Sequence, residues 1–329
     1  MRWTVPRGVR TIAAVALAAA SLVWLWRAAE PDAVWPLLER AHPLALVMGV
    51  ILLAGSLVAK ALRWRAMLPE PWKLSRVEAV RIFHVSILLN NLLPFRVGDG
   101  ARVLSPSVRR VATLQQALVA LVAERVIDGL ALSATAVVVL PLFFRATGRQ
   151  AVIDGITAPG NGAVLVLMGG FLAGLVGLAV VARIRWAALR VLLRERIKSL
   201  REDALAVVQQ PPRHLALLGW ATAFAWGATF GMHYFVLEAL NAPPSIVNPI
   251  VLAVIVTLST NLSMLAPATP GGIGLFHAAA AAPLLVAGVS SDVAVAYALL
   301  VHVINTVPPM LVGAVGLAGP SLAARFRRA

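Results

Sequence analysis

A chain of 329 residues that is 60% apolar and only 13% charged is too hydrophobic for an ordinary soluble domain and belongs with the integral membrane proteins. Its 29 Lys and Arg against 14 Asp and Glu give a net charge of +15, which in such a protein reflects cytoplasmic loops facing anionic lipid rather than a nucleic-acid partner. There is no cysteine, so disulfides, thiolate metal sites and thiol nucleophiles are excluded.

Arg2, Arg7 and Arg10 precede an apolar run over 11–26. That order predicts a first span with a cytoplasmic N-terminus, and its closing Trp24, Trp26 and Arg27 fit an interfacial anchor better than a signal-peptide cleavage region. Residues 30–40 are polar and slightly acidic, as in an outside loop. A second span is predicted over 43–59, followed by KALRWRAML, whose Lys60, Arg63 and Arg65 are assigned to the cytoplasmic side. Trp64 and Trp72 fit interface anchors. The next apolar run, 77–93, ends in LNNLLPFRVGDGAR (89–102). Pro94, Gly98 and Gly100 are expected to break the helix there. A full crossing would strand Arg96, Arg102, Arg109 and Arg110 outside, so the chain is expected to turn back. Broken backbone at membrane depth is tolerated only inside protein or beside a water-filled cavity, which makes this a re-entrant, cavity-lining segment.

The span predicted over 117–144 carries Glu124, Arg125 and Asp128. Three central charges cost about 7.5–10.5 kcal/mol on the insertion scale, close to what the apolar residues of the span return. They are therefore expected to point into the bundle and pair, Glu124 and Asp128 from one helix face. Beyond an outside loop (145–162) and a span (163–181), a basic stretch over 183–213 shows helical apolar spacing. It predicts an amphipathic connector lying on anionic lipid at the cytoplasmic surface. A span over 215–240, a turn at 241–244 and an apolar run over 250–265 follow. After them come the break APATPGGIG (266–274), a helix over 275–287 and a last span over 293–317. Arg325, Arg327 and Arg328 close the chain on the inside.

The second break parallels the first. NNLLPFRVGDG (90–100) and TNLSMLAPATPGGIG (260–274) share asparagine, apolar residues, proline and closing glycines, and downstream Arg125 aligns with His302 and Asp128 with Asn305. Three spans separate the copies, so they enter the bilayer from opposite sides. The predicted fold is an all-α polytopic membrane protein, a single domain over 1–329. Two inverted-topology repeats (about 77–144 and 247–317) with re-entrant or broken helices give it the architecture of alternating-access transporters.

The motifs LRWRAML, NNLLPFRVGDGAR, ALVALVAERVIDGLAL, PATPGGIGLFHAA and ALLVHVINTVPP, taken together, make the chain similar to the lysylphosphatidylglycerol synthase transmembrane, or flippase-like, family over essentially its whole length. The resemblance implies a multi-pass protein of a bacterial or archaeal cytoplasmic (inner) membrane, whose best-understood relatives move an aminoacylated phospholipid between leaflets. In those relatives a soluble aminoacyltransferase domain follows. This chain stops at Ala329, so synthase activity is not expected of it. Relatives commonly carry Glu where His277 stands and Arg where His302 stands.

The candidate site follows from the residue chemistry. Arg96, Arg102 and Arg125 offer guanidinium forks that match phosphate oxygens bidentately. Asp99, Glu124 and Asp128 would hold those arginines when the site is empty, or receive an amine or a proton. Asn91, Asn261, His277, His302 and Asn305 complete the expected substrate-binding set, the histidines with the capacity to titrate near neutral pH. Pro94, Gly98, Gly100, Pro267, Pro270, Gly271, Gly272 and Gly274 are the expected backbone breaks. His84 and His233, on apolar stretches, fit packing roles. No Gly-x-Ser-x-Gly elbow, His-Glu-x-x-His pair or metal-ligand cluster occurs, so no catalysis, cofactor or metal is expected. The function indicated is lipid translocation with a membrane-lipid substrate. The alternative is an intramembrane enzyme or accessory protein of lipid or polyprenyl-phosphate metabolism.

Overall fold

The computed structural model describes residues 31–93, 96–157, 211–241, 246–264 and 272–326, and among them all regular structure is helical. The expected spans at 11–26 and 163–181, nearly all of the connector at 183–213, and Pro94, Pro267, Pro270 and Gly271 lie outside the described residues.

The first described element is α1 (Pro31–Glu39), where an outside loop was expected. Asp32 in its first turn complements the helix dipole, and Trp35 Nε1 donates to Glu39 Oε1 at 2.6 Å one turn on. Helix α2 (Pro43–Ala66) continues past the predicted end at 59, through Lys60, Arg63 and Arg65. Lys and Arg are good helix formers, and Arg63 finds its partner inside the protein. After a 3-10 turn (Pro71–Lys73), α3 (Arg76–Leu92) starts on Ser75, whose hydroxyl accepts from Glu78 N at 3.1 Å. Short α4 (Val97–Leu104) and α5 (Pro106–Arg109) follow.

Helix α6 (Leu114–Thr157) opens on a reciprocal cap: Thr113 N donates to Gln116 Oε1 at 3.0 Å and Gln116 N to Thr113 Oγ1 at 3.2 Å. It passes through residues expected to form a loop, interrupted only by the non-helical backbone of Gly148 (φ 72°, ψ 155°). The remaining helices are α7 (Pro212–Ala239), α8 (Pro249–Ser263), α9 (Leu275–Val286) and α10 (Ser291–Phe326). Among the described residues four helical stretches are long and apolar enough to cross a membrane: Pro43–Ala66, Leu114–Gly148, Pro212–Ala239 and Ser291–Ala318.

The described residues fall into two compact units. One comprises 31–52, 135–157, 229–241, 246–264 and 272–306. In it His42 N donates to the Ala239 carbonyl at 2.7 Å, and Gly49 of α2 lies against Met232 of α7. His233 and Tyr297 are buried together with Nδ1 and Oη 2.7 Å apart, which accounts for His233 as packing.

The other unit comprises 53–93, 96–134, 211–228 and 307–326. Its core gathers Trp64, Leu68, Ile82, Val103, Val108 and Leu218. Trp64 is fully buried, which corrects its expected role as an interface anchor, whereas Trp72 is exposed. Gly313 of α10 lies so close to α3 that a Cβ there would overlap the His84 carbonyl oxygen, and Arg81 Nη1 donates to the Gly316 carbonyl at 2.9 Å.

The first break is local and sharp. α3 ends at Leu92, Leu93 is extended, and Arg96 takes the left-handed conformation (φ 53°) before α4 resumes at Val97. Gly98 and Gly100 are inside α4, not in the break as expected. Gly98 instead permits close approach, since a Cβ there would overlap the Ser86 carbonyl oxygen, while Gly100 faces open space. At the second break Gly272 (φ 69°) and Gly274 (φ 89°) both have positive φ, where glycine is favoured.

Candidate functional site

The turn between α3 and α4 is held by a side-chain clasp. Asn90 Nδ2 donates to Asp99 Oδ1 at 3.1 Å, and Asp99 N donates back to Asn90 Oδ1 at 3.2 Å. The left-handed residue between them is Arg96. This clasp turns Asp99 towards α6, where Arg125 Nη2 donates to Asp99 Oδ2 at 3.1 Å. The Arg125 side chain is 47% exposed and that of Asp99 15%. Arg96 is exposed as well, and the charges of both Arg125 and Asp99 act on it.

The other charges of α6 are enclosed. Glu124 Oε2 accepts from Arg102 Nη2 at 2.9 Å, with both side chains at most 2% exposed. The Arg102 guanidinium lies 4.8 Å from the centroid of Trp64 and 5.1 Å from that of Phe83, over both aromatic rings. One turn along, Asp128 Oδ1 accepts from Arg63 Nη2 at 2.7 Å and from Trp226 Nε1 at 3.0 Å, and Arg63 Nη1 donates to Thr222 Oγ1 at 2.9 Å. Lys60, one turn before Arg63, places Nζ 4.1 Å over the Trp226 ring. Three donors in this interior, Arg63 Nε, Arg102 Nε and Trp64 Nε1, meet no acceptor among the described residues.

These contacts sort the expected site residues. Glu124 and Asp128 point inward and are paired, but Arg125 does not share their burial. Arg102, expected at a headgroup, is 1% exposed and committed to Glu124. As it stands, its fork cannot meet a phosphate. The arginines left accessible are Arg96 and Arg125, with the partly buried Asp99 beside them. Asn91 donates to the Ile87 carbonyl of its own helix at 3.0 Å.

The remaining expected residues belong to the other unit. Asn261 and Asn305 also donate to carbonyls one turn back, Thr257 at 2.9 Å and Val301 at 3.0 Å. His277 and His302 stack with ring centroids 4.5 Å apart and 27° between planes, and Gly274 N donates to His277 Nδ1 at 3.3 Å. That bond caps α9 and, with Nδ1 the acceptor, places the His277 proton on Nε2.

Lys60, Arg63, Asn90, Thr222 and Trp226 were not among the expected site residues. The spacing of Lys60, Arg63 and Trp64 at i, i+3 and i+4 on one helix face was the available signal for the first two. The positive-inside rule had assigned their charge to a loop.

Helices fit to cross a bilayer, with ionisable side chains enclosed among them, define a multi-pass helical membrane protein. Within that class, the family model described as the lysylphosphatidylglycerol synthase TM region matches residues 11–313, and the chain belongs to this family. No curated protein matches the chain.

Proposed function

We propose that the chain is a lipid translocase that carries an anionic or aminoacylated phospholipid, or a related lipid, between leaflets, and that it catalyses no covalent chemistry. The observation that carries this reading is the contrast among three neighbouring ion pairs. The arginines of Arg102–Glu124 and Arg63–Asp128 are at most 1% exposed, while that of Arg125–Asp99 is 47% exposed, with exposed Arg96 in the same turn as Asp99. In the resting site Asp99 Oδ2 holds one arm of the Arg125 fork, Nη2. An arriving phosphate takes the fork bidentately, and the displaced carboxylate keeps the bond that Asn90 Nδ2 donates to its Oδ1.

Movement of the headgroup across the bilayer is assigned to exchange between inward- and outward-open states. The two broken segments, α3–α4 and α8–α9, are assigned as inverted repeats. In this reading the protein sits in a bacterial or archaeal cytoplasmic membrane with both termini inside.

The test is leaflet exchange in vesicles holding the purified full chain and headgroup-labelled phosphatidylglycerol or its aminoacylated form, read by a membrane-impermeant quencher. Wild type should accelerate exchange, and Arg125→Gln should slow it at least tenfold without changing the mass of the lipid. Exchange no faster than in protein-free vesicles would sink the proposal. A change in lipid mass would point to an enzyme instead.

A further inference from the structure

The C-terminal end of α10 is tied to α3 by a bond that a single proline calls for. Residue 320 is proline, and α10 runs through it to Phe326. A proline nitrogen carries no hydrogen, so the carbonyl of Gly316, one helical step back, lacks the amide that would close its usual bond. Arg81 of α3 supplies the missing donor, with Nη1 2.9 Å from the Gly316 oxygen.

The donor is itself held in place. Arg81 Nε and Nη2 meet the two Glu78 oxygens at 2.7 and 2.6 Å, a bidentate pair that leaves Nη1 for α10. Glu78 Oε1 also accepts from Ser107 Oγ of α5 at 2.7 Å. One ion pair therefore fastens the first turn of α3, the returning limb α4–α5 and the end of α10. Between Glu78 and Ser107 lies the turn that presents Asp99 to Arg125, so α10 is tied to the base of the hairpin that carries the accessible pair.

Elsewhere the approach of α10 to α3 is through glycine. Gly313 lies against the His84 carbonyl and Leu88, and a Cβ at Gly316 would stand 3.0 Å from Arg81 Cγ and 3.4 Å from Val85 Cγ2. At these two points α10 offers no side chain to interlock with α3, the condition under which one packed helix can slide along another. The polar tie then sets the register.

We propose that Arg81 and Pro320 together form a strap that holds α10 on the hairpin in the resting state, and that its release lets α10 shift along α3 during lipid exchange. The part in exchange rests on the translocase reading above; the strap itself does not. Arg81 acts as a positioning residue, since its hydrogen-bond partners among the described residues are Glu78 and Gly316.

Two variants loosen the strap from opposite ends. Pro320→Ala gives residue 320 an amide that competes with Arg81 for the Gly316 carbonyl, changing no charged group and favouring the helix. Arg81→Met removes the donor. Because the chain has no cysteine, spin labels can be placed through Val77→Cys and Leu317→Cys, both at exposed positions, and their separation measured in the full chain in nanodiscs.

Each variant should add a second label separation absent from wild type. Each should also speed leaflet exchange of phosphatidylglycerol about threefold or more while leaving its affinity within about twofold, because the resting state alone is destabilised and the Arg125 fork is untouched. The double variant should match the single ones, since both changes act on one bond. Damage to the fold would slow exchange instead, and Pro320→Ala keeps the test open if Arg81→Met unfolds.

Unchanged or slower exchange in Pro320→Ala, affinity shifted as much as rate, or additive effects in the double variant overturns the proposal. A label separation unchanged in both variants does so as well. If wild type moves no lipid, the translocase reading falls, and the label separations alone then decide whether the strap exists.

Discussion

Arg63 and Asp128, 65 residues apart in sequence, meet at 2.7 Å with Arg63 wholly enclosed and Asp128 nearly so. Trp226 and Thr222 complete the arrangement, so α2, α6 and α7 are joined through one carboxylate oxygen and its arginine. Enclosed pairs contribute little net stability when formed, yet removing one partner leaves a charge without a counter-ion, which costs about 3–5 kcal/mol. Arg63→Met and Asp128→Leu should each lower the unfolding temperature in detergent sharply. The double variant should lose less than the sum, because both charges are then gone. Additive losses would mean the two side chains do not interact.

Arg125 and Asp99 should behave in the opposite way. A pair with one partner 47% exposed contributes about 0–1 kcal/mol, so Asp99→Asn should unfold within that range of wild type. Its effect should appear in lipid handling. Without the competing carboxylate the Arg125 fork holds an anionic headgroup longer, so Asp99→Asn is expected to bind phosphatidylglycerol as tightly as wild type or tighter while exchanging it more slowly. Paired binding and exchange measurements check this, and faster exchange with weaker binding would contradict the placeholder role of Asp99.

The division between enclosed and accessible pairs also shows what sequence reasoning can reach. Long apolar runs announce helices because their signal does not depend on phase, and the Asn–Pro–Gly strings announce that backbone bends nearby. Glu124 and Asp128, four apart, could be placed on one face. Their partners could not, because the burial of an arginine near the end of an apolar run depends on which helices pack against it. Arg63 therefore reads as a loop charge and Trp64 as an interface anchor until the contacts with Asp128, Thr222 and Arg102 are seen. Gly98 misleads for a related reason: glycine marks either a bend or a close approach, and only the neighbouring Ser86 carbonyl decides between them.

That distinction gives a direct comparison between two glycines in one turn of α4. Gly98→Ala drives a methyl group into backbone of α3, which cannot yield without moving the helix, so the clasp between Asn90 and Asp99 should be lost and the protein destabilised. Gly100→Ala meets nothing and removes the entropic penalty of glycine in a helix, so it should stabilise by about 0.5–1 kcal/mol. Thermal unfolding of the two variants side by side tests the placement of α4. Equal effects would mean that α4 does not pack on α3 through Gly98.

The stacked pair His277 and His302 occupies the two positions where the family resemblance leads to an expectation of Glu and Arg, and its ring spacing of 4.5 Å is within reach of an ion pair. His277 sits three residues after Gly274, so Glu there could still accept from the Gly274 amide as the capping imidazole does. Arg at 302 alone has no such compensation among the described residues. Helix α8 carries no ionisable side chain, Asp292 lies ten residues back along α10, about 15 Å away, and Tyr297 is engaged with His233. His302→Arg alone should therefore destabilise by about 2–4 kcal/mol, reduced from the fully enclosed case because His302 is only half-buried. His277→Glu alone should cost less, since the adjacent imidazole can take a proton and pair with it. The double variant should recover most of the loss. A thermal-unfolding double-mutant cycle measures the coupling, and a double variant as unstable as the sum of the singles would show that the two positions do not face one another.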